Sequence, residues 1–373
     1  MEINKYSYIE TPALLSPNAP IIPNINSPDS PPELNPILDK IPDYKNNIPV
    51  VTILDNKTIK LDCLLSKIKP TTIRYKKFLS GLRTTPTFPN TLDLRNNIGP
   101  VRDQGTLGSC ASFASSAMKE WQERIEGNFN GYLSPAYIYI NRRNLPQEGM
   151  YLSDVCDILA NKGTCTESSY NYSNLTSNPN PNNIKPNNLP SNVIKEANKY
   201  RTSNSVLIET INDLKTALYL HGPCIMGVLI YYPMNKHMWV PTDPNNLDTN
   251  WAGGHAMAIV GYNNNGFIIR NSWSERWNPQ NTYDMRGHDY LPYEHFKYLT
   301  SDYGGEVWST TDLIQQNPVD PIDPIYIPPT QPKPLTPSIA EPEYKITVIG
   351  VIYVIIFLYL LIQHTWIFRP HYH

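Results

Sequence analysis

Proline is spread so unevenly along this chain that it fixes where a compact fold can form. The first fifty residues carry ten prolines, and residues 317–344, "NPVDPIDPIYIPPTQPKPLTPSIAEPEY", carry nine. Each proline locks φ at about −65° and removes a backbone donor, so neither stretch can hold a long helix or a central strand. Residues 1–49 therefore read as a largely disordered arm. Residues 317–344 read as a stiff spacer, spanning roughly 85 Å if every residue rises about 3.1 Å in the polyproline form. The folding unit falls between them. Residues 89–310 are poorer in proline and rich in aromatic residues, with turn signals separating helix-like from strand-like runs, as expected of one compact domain.

Residues 50–88 form a short pro-region-like or linker segment, in which "VVTILDNKTIKL" alternates around an Asp-Asn turn and predicts a hairpin, while "CLLSKI" predicts a short helix. Within the domain, the tract "NYSNLTSNPNPNNIKPNNLPSN" predicts a surface loop. Beyond the spacer, residues 346–362, "ITVIGVIYVIIFLYLLI", contain no charge. The run continues to residue 368, and about 20 apolar residues cross a bilayer core, so 346–368 predicts a single transmembrane helix with Tyr, Trp, Lys345 and Arg369 at its ends. The N-terminus has neither a basic start nor a long apolar core, so no signal peptide is expected. This combination predicts a tail-anchored protein with its domain on the cytosolic side.

A formal net charge of −2 with no basic runs excludes a nucleic-acid surface as the organising feature. The five cysteines, 63, 110, 156, 165 and 224, form no CxxC pair and no zinc-ligand spacing, so no metal, no other cofactor and no disulfide framework is expected. Oligomeric state has no sequence signature here.

The chemistry concentrates in two stretches. In "VRDQGTLGSCASFASS", a glycine-containing turn precedes Cys110, with Ser109 as candidate cap, and the following small residues predict a buried helix. A thiol in that first turn lies where unpaired N–H groups favour an anion. In "WAGGHAMAIVGYNNNGFIIRNSW", two strand-like runs flank an "NNNG" turn, which brings His255 at the start of one beside Asn271 at the end of the other. An asparagine accepting from one imidazole nitrogen frees the other for a thiol, and Trp273 can shield that bond from water.

Cys110, His255 and Asn271, in this order and spacing, together with Gln104, "TLDLR", "LSPAYIYINRRN", "YLPYEHF" and "SDYGGEVW", resemble the papain-like cysteine peptidases from about Leu92 to Trp308. "CDILANKGTCTESSYNY" is similar to the bacterial and large-DNA-virus branch. The resemblance implies an α+β, two-lobed fold, with a helical left lobe carrying the nucleophile helix and an antiparallel β-barrel right lobe. It implies a protein or peptide substrate, with Cys110 as nucleophile, His255 as base, Asn271 as its orienting partner and Gln104 as an oxyanion donor. Gly149, in "EGMYLSD", matches the glycine that pairs with substrate backbone, although an ordinary turn glycine fits it as well. Gly254 is grouped with Gly149 as substrate-binding. The chain departs from the family at Leu107, where secreted members have a half-cystine, at Ala111, where an aromatic is usual, and in "SERWNPQNTYDMRGH", where glycines usually follow "NSW". The 1–90 region lacks the family's long charged propeptide helix. The competing expectation is a catalytically silent, membrane-anchored peptide-binding protein that keeps the fold.

Overall fold

The computed structural model describes residues 50–53, 57–66, 72–75, 88–127, 129–231, 251–296 and 305–312. The proline-rich arm, the spacer and the apolar run 346–368 lie outside these residues, and no helix among the described ones is long and apolar enough to cross a membrane.

The described chain opens with the expected hairpin, β1 (Val50–Ile53) and β2 (Lys57–Lys60), with Val50 opposite Lys60. Two short strands, β3 (Cys63–Leu64) and β4 (Leu92–Asp93), precede the long helix α1 (Cys110–Glu126). Then come α2 (Pro135–Ile140), β5 (Met150–Tyr151), α3 (Leu152–Asn161), α4 (Ser173–Thr176) and α5 (Ser191–Ala197). The remainder alternates little: β6 (Thr202–Ile208), α6 (Ile211–His221), β7 (Cys224–Tyr231), β8 (Trp251–Tyr262), β9 (Gly266–Arg270), β10 (His288–Pro292) and β11 (Glu306–Asp312). Six of these strands pair antiparallel in the order β10-β9-β8-β7-β11-β6, and β4 joins beside β8. One lobe is thus helical and the other is built on this sheet, giving the α+β, two-lobed architecture expected from the sequence.

The two lobes meet because β8 alternates. Ala256, Ala258 and Val260 belong to the core shared with α1, whereas Met257 and Ile259 belong to the core on the opposite face. Period-two side-chain direction requires this split. The helix answers with equally small residues, Ala111, Ala114 and Ala117, all buried. Its buried serines lose no hydrogen bonding, since Ser112, Ser115 and Ser116 each donate to the carbonyl three residues earlier, at 2.7, 3.2 and 3.1 Å. Small against small lets helix and strand backbones approach closely, which brings the first turn of α1 up to β8.

Three local expectations are corrected. "CLLSKI" does not begin a helix: Cys63 and Leu64 form β3, parallel to β5, with Cys63 opposite Met150. A short helix must bear its nucleation cost for few bonds, whereas the strand gains a ladder and buries Cys63 and Leu65 completely. Ser109 holds the N-cap position of α1 without a side-chain cap bond, because its hydroxyl lies 2.6 Å from that of Tyr172. The Asn-rich tract is not a plain loop. It contains α4 and leads into α5, pinned by buried Leu175 and Leu189.

Candidate active site

Cys110 is placed by the turn before it. Gly105 adopts φ +63°, a left-handed conformation that glycine enters at little cost. The chain is tied across to the strand lobe there: the N–H of Gln104 donates to the Ser272 carbonyl at 2.9 Å, and the Ser272 hydroxyl donates to Gln104 Oε1 at 2.6 Å. Gln104 Nε2 in turn donates to the Leu107 carbonyl at 3.0 Å. The turn is therefore closed by one buried amide, and Cys110 enters α1 fully buried.

His255 and Asn271 come from the β8–β9 hairpin. Nε2 of His255 lies 2.8 Å from Asn271 Oδ1, and the Trp273 ring stacks on the imidazole with centroids 4.5 Å apart. The same Oδ1 accepts the Ser272 N–H at 2.7 Å, so the oxygen of the Asn271 amide is the atom facing both donors. Nε2 consequently carries the proton, and Nδ1, which has no hydrogen-bond partner, keeps its lone pair. The Asn271 backbone is fixed as well, by donation to the Gly287 carbonyl at 3.0 Å. Trp277 supports Trp273 edge-on at 5.7 Å, which gives the departing stretch "SERW" a packing role.

Gly149 and Gly254 lie on either side of a strand that the sequence did not place there. Residues 61–66 run through the cleft: Asp62 bridges Gly254, and its carbonyl accepts the Met150 N–H at 3.2 Å. A side chain on Gly149, which adopts φ +79°, would strike the Asp62 carbonyl, and one on Gly108 would strike the Asp62 carboxylate. Leu65 packs over Gly227 beside Cys63 and Leu152. Ser66 finishes the contact, its N–H 2.8 Å from Glu306 Oε1 and its hydroxyl 2.8 Å from that of Ser153. The second Glu306 oxygen accepts the Trp308 indole N–H at 2.7 Å. Asp62, Leu65, Ser66, Ser272 and Glu306 were missed from sequence. The signal for Asp62, Leu65 and Ser66 was that the 50–80 region reads as a piece in need of something to fold against, whereas Ser272 and Glu306 lie in the family-like stretches "RNSW" and "SDYGGEVW" without being singled out.

This occupation sets the electrostatics. Burial pushes the Cys110 thiol up to about 12, although the backbone N–H groups of Ala256, Asp62 and Ala111 pull it back towards the thiolate. Burial likewise pushes His255 down to about 4, against the opposing bond to Asn271. Burial in the closed cleft thus works against both the thiolate and the imidazolium. Glu306, buried with only neutral donors, is pushed up to about 7. All five cysteines are free thiols, and no cluster able to hold a metal ion occurs among the described residues.

The comparisons with known proteins bear on the family and the fold. The sequence model for papain family cysteine protease matches residues 88–290, more than half of the chain. An uncharacterized peptidase C1-like protein of Acanthamoeba polyphaga mimivirus is 28% identical over 299 residues, covering 74% of this chain and 87% of its own length. Digestive cysteine proteinase 2 of Homarus americanus is 24% identical over 222 residues, 56% of this chain and 63% of its own. Among solved structures, xylellain, a cysteine protease from Xylella fastidiosa, matches 68% of this chain and 96% of its own at a TM-score of 0.53 and 23% identity. Procathepsin B S9 of Trypanosoma congolense matches 68% and 87% at a TM-score of 0.50 and 14% identity. These structures establish the papain-like fold. With the family match spanning the nucleophile turn and the histidine hairpin alike, the chain belongs to the papain family of cysteine proteases.

Proposed function

We propose that this chain is a cysteine endopeptidase acting on protein substrates, held latent by residues 61–66 and tethered to a membrane by residues 346–368. The observation that carries the catalytic reading is the His255 imidazole, fixed by Asn271 at 2.8 Å and covered by Trp273, on the strand packed beside the first turn of α1. Once the cleft opens, His255 Nδ1 takes the Cys110 proton and the thiolate attacks the scissile carbonyl. The oxyanion receives the Cys110 N–H and an N–H of Gln104, and the imidazolium protonates the leaving amine. Water, deprotonated by His255, then cleaves the thioester and restores Cys110. Gly149 and Gly254 present backbone edges to an extended substrate, the positions that residues 61–66 occupy here.

Latency follows from the same contacts. An occupied cleft excludes substrate, and by excluding water it also disfavours the thiolate-imidazolium form that attack requires. Tethering is supported by the uncharged run 346–362. Epoxide or vinyl-sulfone labelling of full-length protein whose plug has been displaced by Leu65→Asp, followed by peptide-library cleavage with Cys110→Ala as control, tests the reading. Labelling confined to Cys110, with cleavage absent from the control, is expected. A protein that is neither labelled nor active after the plug is displaced would instead be the silent peptide binder.

A further inference from the structure

The two donors that an oxyanion needs stand at opposite ends of one turn and are anchored in different lobes. Gln104 is bound to the strand lobe, where its N–H donates to the Ser272 carbonyl and its Oε1 accepts the Ser272 hydroxyl. The Cys110 N–H rides on α1. Between them lie Gly105, at φ +63°, and Gly108, which lend the turn little stiffness of their own. Gln104 Nε2 spends one hydrogen on the Leu107 carbonyl and has a second to give.

A single oxygen joins the two ends. The Tyr172 hydroxyl lies 2.8 Å from the Gln104 carbonyl and 2.6 Å from the hydroxyl of Ser109, the residue before Cys110. The carbonyl can only accept, so Tyr172 donates its one proton there and accepts from Ser109. Burial holds the phenol above its usual 10, against the opposing bond from Ser109, so that proton is kept. The packing of Tyr172 does not call for a hydroxyl. Its ring meets Phe113 of α1 edge-on with centroids 4.8 Å apart, and its N–H donates to Glu167 Oε1 at 2.7 Å. Glu167 is in turn paired with Arg102 at 3.4 Å. These contacts fasten the Asn-rich tract to the helix, which leaves the hydroxyl to serve the turn.

We propose that Tyr172 is a positioning residue for the oxyanion site: its hydroxyl ties Gln104 to Ser109 and so sets the spacing between the Gln104 Nε2–H and the Cys110 N–H. The role presupposes Cys110 as nucleophile and Gln104 as oxyanion donor. Both donors must reach the oxyanion together, so a strut between them acts on the transition state and not on substrate binding. Full-length protein with the plug displaced by Leu65→Asp is assayed with and without Tyr172→Phe, which keeps the ring and removes the strut. The substitution should lower kcat about tenfold with KM unchanged, a fraction of the roughly 10²–10³ that losing a whole donor costs. It should weaken a peptide aldehyde, whose thiohemiacetal oxygen takes the oxyanion position, by the same factor and leave the matching peptide alcohol unaffected. Beside Gln104→Ala, Tyr172→Phe should cost nothing further, because the spacing it sets no longer matters. A rise in KM with kcat unchanged, equal weakening of aldehyde and alcohol, or an undiminished penalty beside Gln104→Ala would make the hydroxyl merely structural and overturn the proposal. The two readings fail differently. An aldehyde that does not add to Cys110 in the Leu65→Asp protein removes the peptidase reading and the strut with it, whereas one that binds equally with and without Tyr172→Phe removes the strut alone.

Discussion

At the scale of single residues, burial disfavours at both Cys110 and His255 the charged form that attack requires. Cys110→Ala should abolish peptidase activity and leave the melting temperature nearly unchanged, since one sulfur at a helix start carries little stability; residual turnover within tenfold of wild type would remove it as nucleophile. His255→Ala should be comparably damaging, while Asn271→Ala and Gln104→Ala retain measurable turnover, an oxyanion donor being worth about 10²–10³ in rate. The pH dependence of stability has two opposing sources. A histidine held below its usual 6.5 stabilises the fold while neutral, and that contribution is lost as pH falls from 6.5 towards 4; His255, His221 and His288 share this sign. Glu306, held above its usual 4.5, acts oppositely, its contribution being lost as pH rises from 4.5 to about 7. Glu306→Gln should therefore steepen the loss of stability on acidification below pH 6.5, read from melting curves across pH 4–8. A slope no steeper than wild type would show that Glu306 is not held protonated.

Among the elements, the β8–β9 hairpin was legible because two independent signals coincide: alternation along "AMAIVGY" and an "NNNG" turn of the right length. That hairpin alone puts His255 next to Asn271, so most of the candidate site is legible in the order of residues. β3 was not legible. "CLLSKI" has no period to choose helix from strand, and its partner β5 lies far along the chain, so the choice is made by tertiary pairing. The unexpected Ser109–Tyr172 bond has the same origin, a long-range partner outbidding a local cap. Leu65→Asp, which places a charge over Gly227, should loosen the strand and speed iodoacetamide labelling of Cys110 in the full-length protein. The ceiling is about a thousandfold, the thiolate gain if the thiol returns from about 12 to its usual 9.0. Unchanged labelling would mean that Leu65 does not hold the strand. In the sheet itself, Ile259→Ala should cost about 2–5 kcal/mol in denaturant unfolding, since Ile259 is fully buried in the core on the side away from α1.

For the whole molecule, proline counting marks out residues 89–310 as the unit expected to fold, but composition could not reveal that a piece of the preceding region packs against it, because pairing across the cleft leaves no mark on local composition. The C-terminal half of the proposal is tested by fractionation: full-length protein should resist carbonate extraction, and a chain ending at residue 316, beyond the end of β11 at Asp312, should be recovered in the soluble fraction. Recovery of the full-length chain in the soluble fraction would remove the anchor. The strand in the cleft carries one more consequence, which concerns competition. The chain runs on from it to the matched domain and docks on the way, with Tyr75 fully buried and the Ile73 carbonyl accepting the Leu207 N–H at 2.9 Å, so the strand rebinds as part of the same chain, at an effective concentration on the order of millimolar however dilute the protein. A substrate competes against that local concentration. One cut between residues 66 and 72 would part the strand from the docked residues 72–75 and turn it into a separate peptide that dilutes away, so on the proposed latency activation would need no change within the catalytic domain and would not reverse.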